Sequence, residues 1–407
     1  MKKVWFIIIG ALMGNLLMTG CQSTVSDKEN NKNKTATVQM SDSEKYILDE
    51  DGCNNFLLDG MKPAVAPNKN GYYFKNNSLL NYYDTSIDKT VIVCNKPDCN
   101  HTYEDNCYAR IETADDAIYR YRNNIYVITN NLDDNNVNSY ILTEMSEDGS
   151  ERKDLYRFAS DTGEEGISYE AYIHRGYFYY SVANLDADRK ENVTIYRKAL
   201  VKDASEEVFY QTEVYGGQIG CIRGYGNEIY FEESGFKKPD SDEYMELRKC
   251  NIHTKETETV RENHYGYYEK IDDNLYYFDK DKEVLTEYSE KTKETRELCK
   301  IENIAETDLK SDGQYLYLYC FDWNKDEKTE KIQRRVQILD SDGNLADTLE
   351  NTDEFIGGDD KYLFFKGMEE EYSKEAGQEV CVEHMYYYKK SDIGSGDYSL
   401  RTEMIPE

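Results

Sequence analysis

The sequence predicts an all-β fold, a β-propeller of about seven four-stranded blades, and three observations support this prediction. A short aromatic segment that follows a turn residue recurs seven times. The spacing between successive copies stays between 41 and 53 residues, and a period of about 40–50 residues with several strands per repeat is typical of propeller blades. The chain also has 38 Tyr and 13 Phe but only 5 Pro, and tyrosine favours half-buried strands.

Each recurring segment has one central aromatic residue, and we treat these residues as equivalent anchors. The anchors are Tyr73, Tyr126, Tyr179, Tyr230, Tyr276, Tyr317 and Phe364. Six or eight blades remain alternatives, because the first and last copies are irregular. A pair of β-sandwiches is the next fold to consider, but the strands of a sandwich do not repeat as a block.

The residues after each anchor predict the remaining strands of a blade. In the second copy, residues 139–142 form an apolar run that leads into Asp148-Gly149, and in the sixth copy residues 335–339 lead into Asp342-Gly343. Asp-Gly between two apolar runs is a strong hairpin signal, because glycine tolerates positive φ. No window shows a sustained period of 3.6 residues, so we expect little helix.

The N-terminus predicts export and lipid anchoring. Lys2 and Lys3 precede an apolar run over residues 4–14, as in a secretory signal peptide, and the run is too short to span a bilayer, which takes about 20 residues. Thr19 and Gly20 stand directly before Cys21. This arrangement resembles the lipobox of bacterial lipoproteins, although Met18 replaces the usual leucine. The resemblance implies that Cys21 carries a diacylglyceryl group, whereas an ordinary signal peptide with an incidental cysteine is the alternative.

Composition divides the chain into three parts. Residues 1–20 are the predicted signal peptide. Residues 21–44 are polar and of low complexity, which predicts a lipidated flexible tether. Residues 45–407 hold the repeats and form the predicted propeller. The expected location is therefore the extracytoplasmic face of the cell membrane, with the lipid as the membrane contact.

The charge of the chain excludes one class of partner. The formal net charge is −31, from 80 acidic and 49 basic residues. Such a surface repels nucleic-acid phosphates, so we expect no nucleic-acid binding. A cationic partner, a neutral glycan or simple solubility all agree with this charge.

Cysteine and histidine cluster at one point of the chain. Cys94, Cys99, His101 and Cys107 follow the pattern C-x4-C-x-H-x5-C, and three sulfurs with one imidazole form a set that binds Zn²⁺ tetrahedrally. The spacing matches no common zinc finger. We favour a disulfide among these cysteines, with Cys53 as a further partner, over a structural zinc site or unpaired thiols. The other cysteines read as small buried apolar residues, and we expect no bond between Cys221 and Cys250.

The whole pattern resembles a group of lipoproteins from Gram-positive bacteria, notably clostridia. The resemblance is carried by the lipobox, by strands of the form Asn/Asp/Gly-X-Ile/Leu-Tyr-Tyr/Phe, and by the cysteine cluster near residue 100. These proteins have a propeller domain named after that of low-density-lipoprotein receptor-related proteins. The resemblance implies architecture and location, but no activity, because the function of the group is itself largely unassigned.

No motif predicts a catalytic residue. The five histidines lie in no His-Glu-x-x-His pattern, and Gly-x-Ser-x-Gly is absent. The first functional hypothesis is a non-catalytic surface propeller that binds an unidentified glycan or protein, with the binding residues unknown and no cofactor apart from the zinc considered above. The alternative is a carbohydrate-active hydrolase or lyase on the same scaffold. A solute-binding lipoprotein would need two α/β lobes, which this sequence does not predict.

Overall fold

The computed structural model describes most of the predicted propeller. The described residues are 40, 43, 45, 47, 50–51, 58–59, 62–102, 106–111, 117–132, 137–161, 167–184, 190–264, 267–279, 282–301, 306–322, 333–350, 352–373, 378–396, 398 and 401–404. They all fall within one compact unit, Ala36–Glu407. The predicted signal peptide, Cys21 and Cys53 lie outside the described residues.

The described residues form antiparallel sheets in which every strand pairs with its neighbours along the chain. A two-stranded piece, β1 (Leu58–Asp59) with β2 (Lys62–Pro63), comes first. Sheet 1 contains β3 (Val65–Asn68), β4 (Gly71–Asn76), β5 (Leu79–Asp84) and β6 (Lys89–Ile92). Sheet 2 contains β7 (Ile118–Tyr121), β8 (Asn124–Leu132), β9 (Asn138–Ser146) and β10 (Arg152–Asp161).

Sheet 3 has seven strands: β11 (Ile167–His174), β12 (Tyr177–Asn184), β13 (Lys190–Ala199), β14 (Glu206–Tyr225), β15 (Glu228–Phe236), β16 (Glu243–Asn251) and β17 (Thr257–Glu262). Sheet 4 contains β18 (Tyr268–Ile271), β19 (Asn274–Asp279), β20 (Val284–Ser289) and β21 (Thr295–Lys300).

Sheet 5 contains β22 (Glu306–Ser311), β23 (Tyr315–Asp322), β24 (Gln333–Asp340) and β25 (Leu345–Glu350). Sheet 6 contains β26 (Glu354–Gly358), β27 (Tyr362–Ser373), β28 (Gln378–Lys389) and β29 (Thr402–Glu403). One 3-10 turn covers Lys390–Asp392, and no α-helix occurs among the described residues.

Sheet 3 owes its size to one long strand. The first part of β14 pairs with β13, from Glu206 to Tyr215, and its last part pairs with β15, from Gln218 to Tyr225. Gly217 lies between the two parts, where a Cβ would stand 1.9 Å from a methyl carbon of Val214. Counting the two parts of β14 separately would divide the sheets into seven four-stranded units. The number of blades stays a prediction.

The seven anchors occupy equivalent positions, as the sequence predicts. They lie in β4, β8, β12, β15, β19, β23 and β27, each the second strand of a four-stranded unit when β14 is divided as above. All seven side chains are at most 3% exposed. The repeat in the sequence is therefore a repeat in space, and an arrangement of unrelated sandwiches is wrong. The two predicted hairpin turns also form, with Gly149 at φ +69° and Gly343 at φ +83°.

Neighbouring sheets pack face to face, and each junction has its own apolar cluster. Phe74 and Tyr83 of sheet 1 pack with Phe364 and Tyr387 of sheet 6, and the hydroxyls of Tyr83 and Tyr387 are 3.1 Å apart. The first strands of successive sheets also lie against each other, as β3 does with β7, β18 with β22, and β22 with β26. The last sheet thus meets the first, and the fold is an all-β propeller.

No helix among the described residues has the length and hydropathy needed to cross a membrane.

Candidate functional site

A cavity of about 820 Å³ opens where the first strands of three neighbouring units turn into the second strands. We call this end of the propeller the turn face. Tight two-residue turns build it, because Tyr225 pairs with Glu228 across Gly226-Asn227 and Ile271 pairs with Asn274 across Asp272-Asp273. Such turns need positive φ; Gly226 has φ +58° and Asp272 has φ +51°.

The cavity wall carries both hydrogen-bond donors and acceptors. Besides the turn residues, it includes residues of the adjoining strands, Glu290 just after β20, and one residue of the next unit; these are Glu228, Tyr230, Lys249, Asn251, Lys270, Glu290 and Gly313. Side chains of several types therefore converge on a single opening. None of these residues was predicted from the sequence to bind a ligand, because they follow no recognisable spacing along the chain.

Glu290 is held by three groups in the wall, the hydroxyl of Tyr230 and the ammonium groups of Lys270 and Lys249, the last at 3.5 Å. It accepts hydrogen bonds from the hydroxyl of Tyr230, at 2.8 and 2.9 Å, and from Nζ of Lys270, at 2.9 Å. Burial favours the neutral acid, but Lys270 and Tyr230 outweigh it, so the pKa of Glu290 lies below its ordinary value. Burial raises the pKa of Glu228, although the amide of Asn251 donates to it at 3.1 Å.

The segment before β1, which includes Lys45 and Asp51, closes one side of the cavity. Asp51 accepts hydrogen bonds from Nε and Nη2 of Arg175, at 2.8 and 3.3 Å. Arg175 is fully buried, and its Nη1 also donates to the side chain of Asn227 at 2.7 Å. Lys45 and Asp51 line the cavity. One buried guanidinium therefore joins the N-terminal segment to two units of the propeller.

Cys94, Cys99, His101 and Cys107 come together in the connection between sheets 1 and 2. Nδ1 of His101 lies 3.4 Å from Sγ of Cys99 and 3.3 Å from Sγ of Cys107. One ligand atom from each of the four residues lies within 4.8 Å of the other three. Cys107 is buried, and the other three residues are half-buried.

The local backbone explains how the four residues meet. The chain turns at Pro97-Asp98, where the amide of Cys99 donates to the carbonyl of Lys96 at 3.3 Å. Asp98 and His101 both have φ near +60°, a region that few non-glycine residues adopt. The Lys96 ammonium then reaches the carbonyl of Asn106 at 2.7 Å, which ties the two arms of the connection together.

The choice among a disulfide, a zinc site and unpaired thiols at this cluster stays a prediction. Cys94, Cys99 and Cys107 are separate thiols, and the predicted further partner, Cys53, lies outside the described residues. The fold brings the imidazole of His101 and the three sulfurs to one point, as the zinc alternative requires. Cys221 and Cys250 are separate thiols as well.

The thiols of the cluster differ in acidity. The pKa of Cys94 lies below its ordinary value. Burial opposes ionisation of this thiol, but the backbone N–H groups of Lys96 and Tyr108 donate to its sulfur and outweigh burial. Burial and the adjacent thiols of Cys99 and Cys94 raise the pKa of Cys107 to about 11.

Comparison with known proteins assigns no family. No protein-family profile matches the chain, and no curated protein matches it either. Among solved structures, the chain is similar to a puromycin-hydrolysing peptidase of Mycobacterium tuberculosis, with 11% identity, a TM-score of 0.44, and coverage of 81% of this chain and 52% of that one. It is also similar to dipeptidyl peptidase 4 of Porphyromonas gingivalis, with 11% identity, a TM-score of 0.44, and coverage of 85% and 53%.

A third similar structure is TolB of Acinetobacter baumannii, with 11% identity, a TM-score of 0.37, and coverage of 83% of this chain and 78% of that one. The chain spans about half the length of each of the two peptidases. The functional interpretation therefore rests on the residues of this chain.

Proposed function

We propose that this chain is a lipid-anchored binding protein of the extracytoplasmic membrane face, and that its propeller holds a ligand without transforming it. The lipobox-like residues before Cys21 support the anchor. The cavity on the turn face supports binding, because its 820 Å³ lies within the range of about 300–1,000 Å³ typical of ligand sites. This cavity is the observation on which the proposal depends.

The ligand that fits this cavity is a neutral or basic glycan. The amide of Asn227 and the carboxylates of Asp272 and Asp273 offer directional partners to sugar hydroxyls or amino groups. Both aspartates are exposed in a chain of net charge −31, which disfavours an acidic ligand. Glu290 is already bound to Lys270 and Tyr230 and therefore shapes the wall.

Direct binding measurements test the site. The purified chain is screened against immobilised neutral, amino-sugar and acidic glycans, and the best ligand is measured by calorimetry. We expect Asp272→Asn to weaken binding about tenfold, because it removes a charged acceptor. Asparagine tolerates the positive φ of this turn. Asp203→Asn is the matched control, since Asp203 is also exposed with φ +59° but lies outside the cavity.

Two results would reject the binding site: binding of acidic glycans alone, and equal binding by the Asp272→Asn and wild-type chains. A third result would reject the lipid anchor alone: Cys21→Ser does not change how much of the chain is released from the membrane fraction.

Glycan hydrolysis is the second candidate, because Glu228, Asp272 and Asp273 line the same cavity and glycoside hydrolysis needs two carboxylates. The same glycan panel separates the two functions. Product formation that survives purification, and that Asp272→Asn and Asp273→Asn abolish, would establish an enzyme. Binding without product supports the non-catalytic function.

A further inference from the structure

We infer that Cys94, Cys99, His101 and Cys107 bind one zinc ion, and that this ion fastens sheet 1 to sheet 2. The cluster lies apart from the turn-face cavity, since none of its four residues lines that cavity. The inference therefore does not depend on the proposed ligand or on the lipid anchor.

The spacing of the ligand atoms fits a tetrahedral zinc site. With Zn–S bonds of about 2.3 Å and a Zn–N bond of about 2.1 Å, neighbouring sulfur and nitrogen ligands stand about 3.6 Å apart. Nδ1 of His101 lies 3.4 Å from one sulfur and 3.3 Å from another, and all four ligand atoms lie within 4.8 Å of one another. Only small side-chain adjustments separate this arrangement from a coordinated one.

The donor set selects the metal. Thiolate sulfur and imidazole nitrogen are poor ligands for Ca²⁺ and Mg²⁺, which take oxygen, and a tetrahedral set of three sulfurs and one nitrogen suits Zn²⁺. Four protein ligands leave no open position for water or substrate, so such an ion is structural rather than catalytic. A disulfide would use two sulfurs and give neither the third sulfur nor the imidazole a function.

The hydrogen bonds around the cluster identify what the ion holds together. On the side of sheet 1, the amide of Leu80 donates to the carbonyl of Ala109 at 2.8 Å. On the side of sheet 2, the amide of Asn95 donates to the carbonyl of Gly149 at 2.9 Å, and Nη1 of Arg152 donates to the carbonyl of Tyr108 at 3.0 Å. A metal ion bound to both arms of this connection fixes the two sheets through it.

Metal analysis of the full-length chain tests the inference. We expect about one zinc ion per chain after purification without added metal, and loss of that zinc in Cys99→Ser and Cys107→Ser. Cys381→Ser is the matched control, because Cys381 is an exposed cysteine outside the cluster, and it should keep the zinc. Removal of zinc with a strong chelator should lower Tm by roughly 5 °C or more, and restored zinc should reverse the change.

Cobalt substitution is measured on the wild-type chain, so it tests the inference even if the cysteine variants do not fold. A tetrahedral cobalt site with three thiolates shows strong visible bands and sulfur-to-metal charge transfer, and zinc should displace it. An intact-mass loss of two hydrogens that maps to Cys94, Cys99 or Cys107, iron or copper in place of zinc, or equal zinc in Cys99→Ser and wild type would each overturn the inference. Glycan binding that persists in the zinc-free chain would leave the proposed function intact.

Discussion

Arg175 shows how one side chain can determine the stability of a whole region. Its guanidinium is fully buried and bridges Asp51 and Asn227, which belong to different parts of the fold. A buried ion pair contributes little when compared with an apolar replacement, but removing one partner leaves an uncompensated charge. The cost of breaking this pair therefore exceeds what the pair contributes.

We expect Arg175→Met to lower the free energy of unfolding by about 3–5 kcal/mol, because Asp51 would stay buried without its guanidinium. Thermal or chemical unfolding followed by circular dichroism measures the change. Arg157→Met is the control, since Arg157 is exposed in β10, and it should change stability by about 0.5 kcal/mol at most. Equal stability of the two variants would contradict the role assigned to Arg175.

At the scale of elements, tyrosine hydroxyls form hydrogen bonds with the carboxylates of acidic residues. Hydroxyls near strand ends donate to carboxylates of turns or neighbouring sheets, as Tyr386 does to Asp353 at 2.6 Å and Tyr72 does to Asp359 at 2.5 Å. A buried hydroxyl needs such a partner. Pairs of this kind tie the ends of strands to turns and to neighbouring sheets.

The turn between β9 and β10 offers a second test. Gly149 has φ +69°, and a Cβ at this position would lie 2.5 Å from the carbonyl carbon and oxygen of Val93, in the connection that holds the cysteine cluster. Gly149→Ala therefore combines a backbone penalty of about 1 kcal/mol with a collision that adds about 1–3 kcal/mol. A fall in Tm, with weaker metal retention, is the expected result.

Gly394→Ala separates the two contributions. Gly394 has φ +83°, but a Cβ there would meet nothing within 4 Å, so only the backbone penalty applies. If both alanine variants lost the same stability, the close approach of Gly149 to Val93 would have no energetic weight.

At the scale of the whole molecule, the buried tyrosines determine behaviour in alkali. Burial is the main reason that the pKa values of Tyr126, Tyr230 and Tyr179 lie above the ordinary value, and burial raises the pKa of Tyr276 to about 12. In the unfolded chain, tyrosine ionises near pH 10. The stability that the neutral hydroxyls contribute is therefore complete below about pH 10 and is lost as the pH rises above it.

We expect unfolding to become steeply dependent on pH above about 10, with a slope of roughly 1.4 kcal/mol per pH unit for each tyrosine that ionises only on unfolding. Tyrosinate absorbance and loss of the β-sheet circular dichroism signal should rise together in one transition. Gradual tyrosine ionisation near pH 10 in a chain that keeps its sheets would contradict this expectation.

The repeated strand, its hairpin turns and the cysteine–histidine pattern can all be predicted from the amino-acid sequence. These features are visible in short stretches of sequence: aromatic residues near turn residues, as at positions 126 and 276, favour a strand, and Asp-Gly at 148–149 favours a turn. The free energies that decide them come from neighbours within a few residues.

Which residues from distant parts of the chain meet depends on the tertiary fold. Sheet 6 closes against sheet 1 through Tyr83 and Tyr387, Arg175 reaches Asp51, and the cavity combines turns of separate units. The imidazole of His101 likewise meets the sulfurs of Cys99 and Cys107. Such contacts depend on packing between surfaces that are far apart in sequence, so they cannot be predicted from a residue's neighbours along the chain.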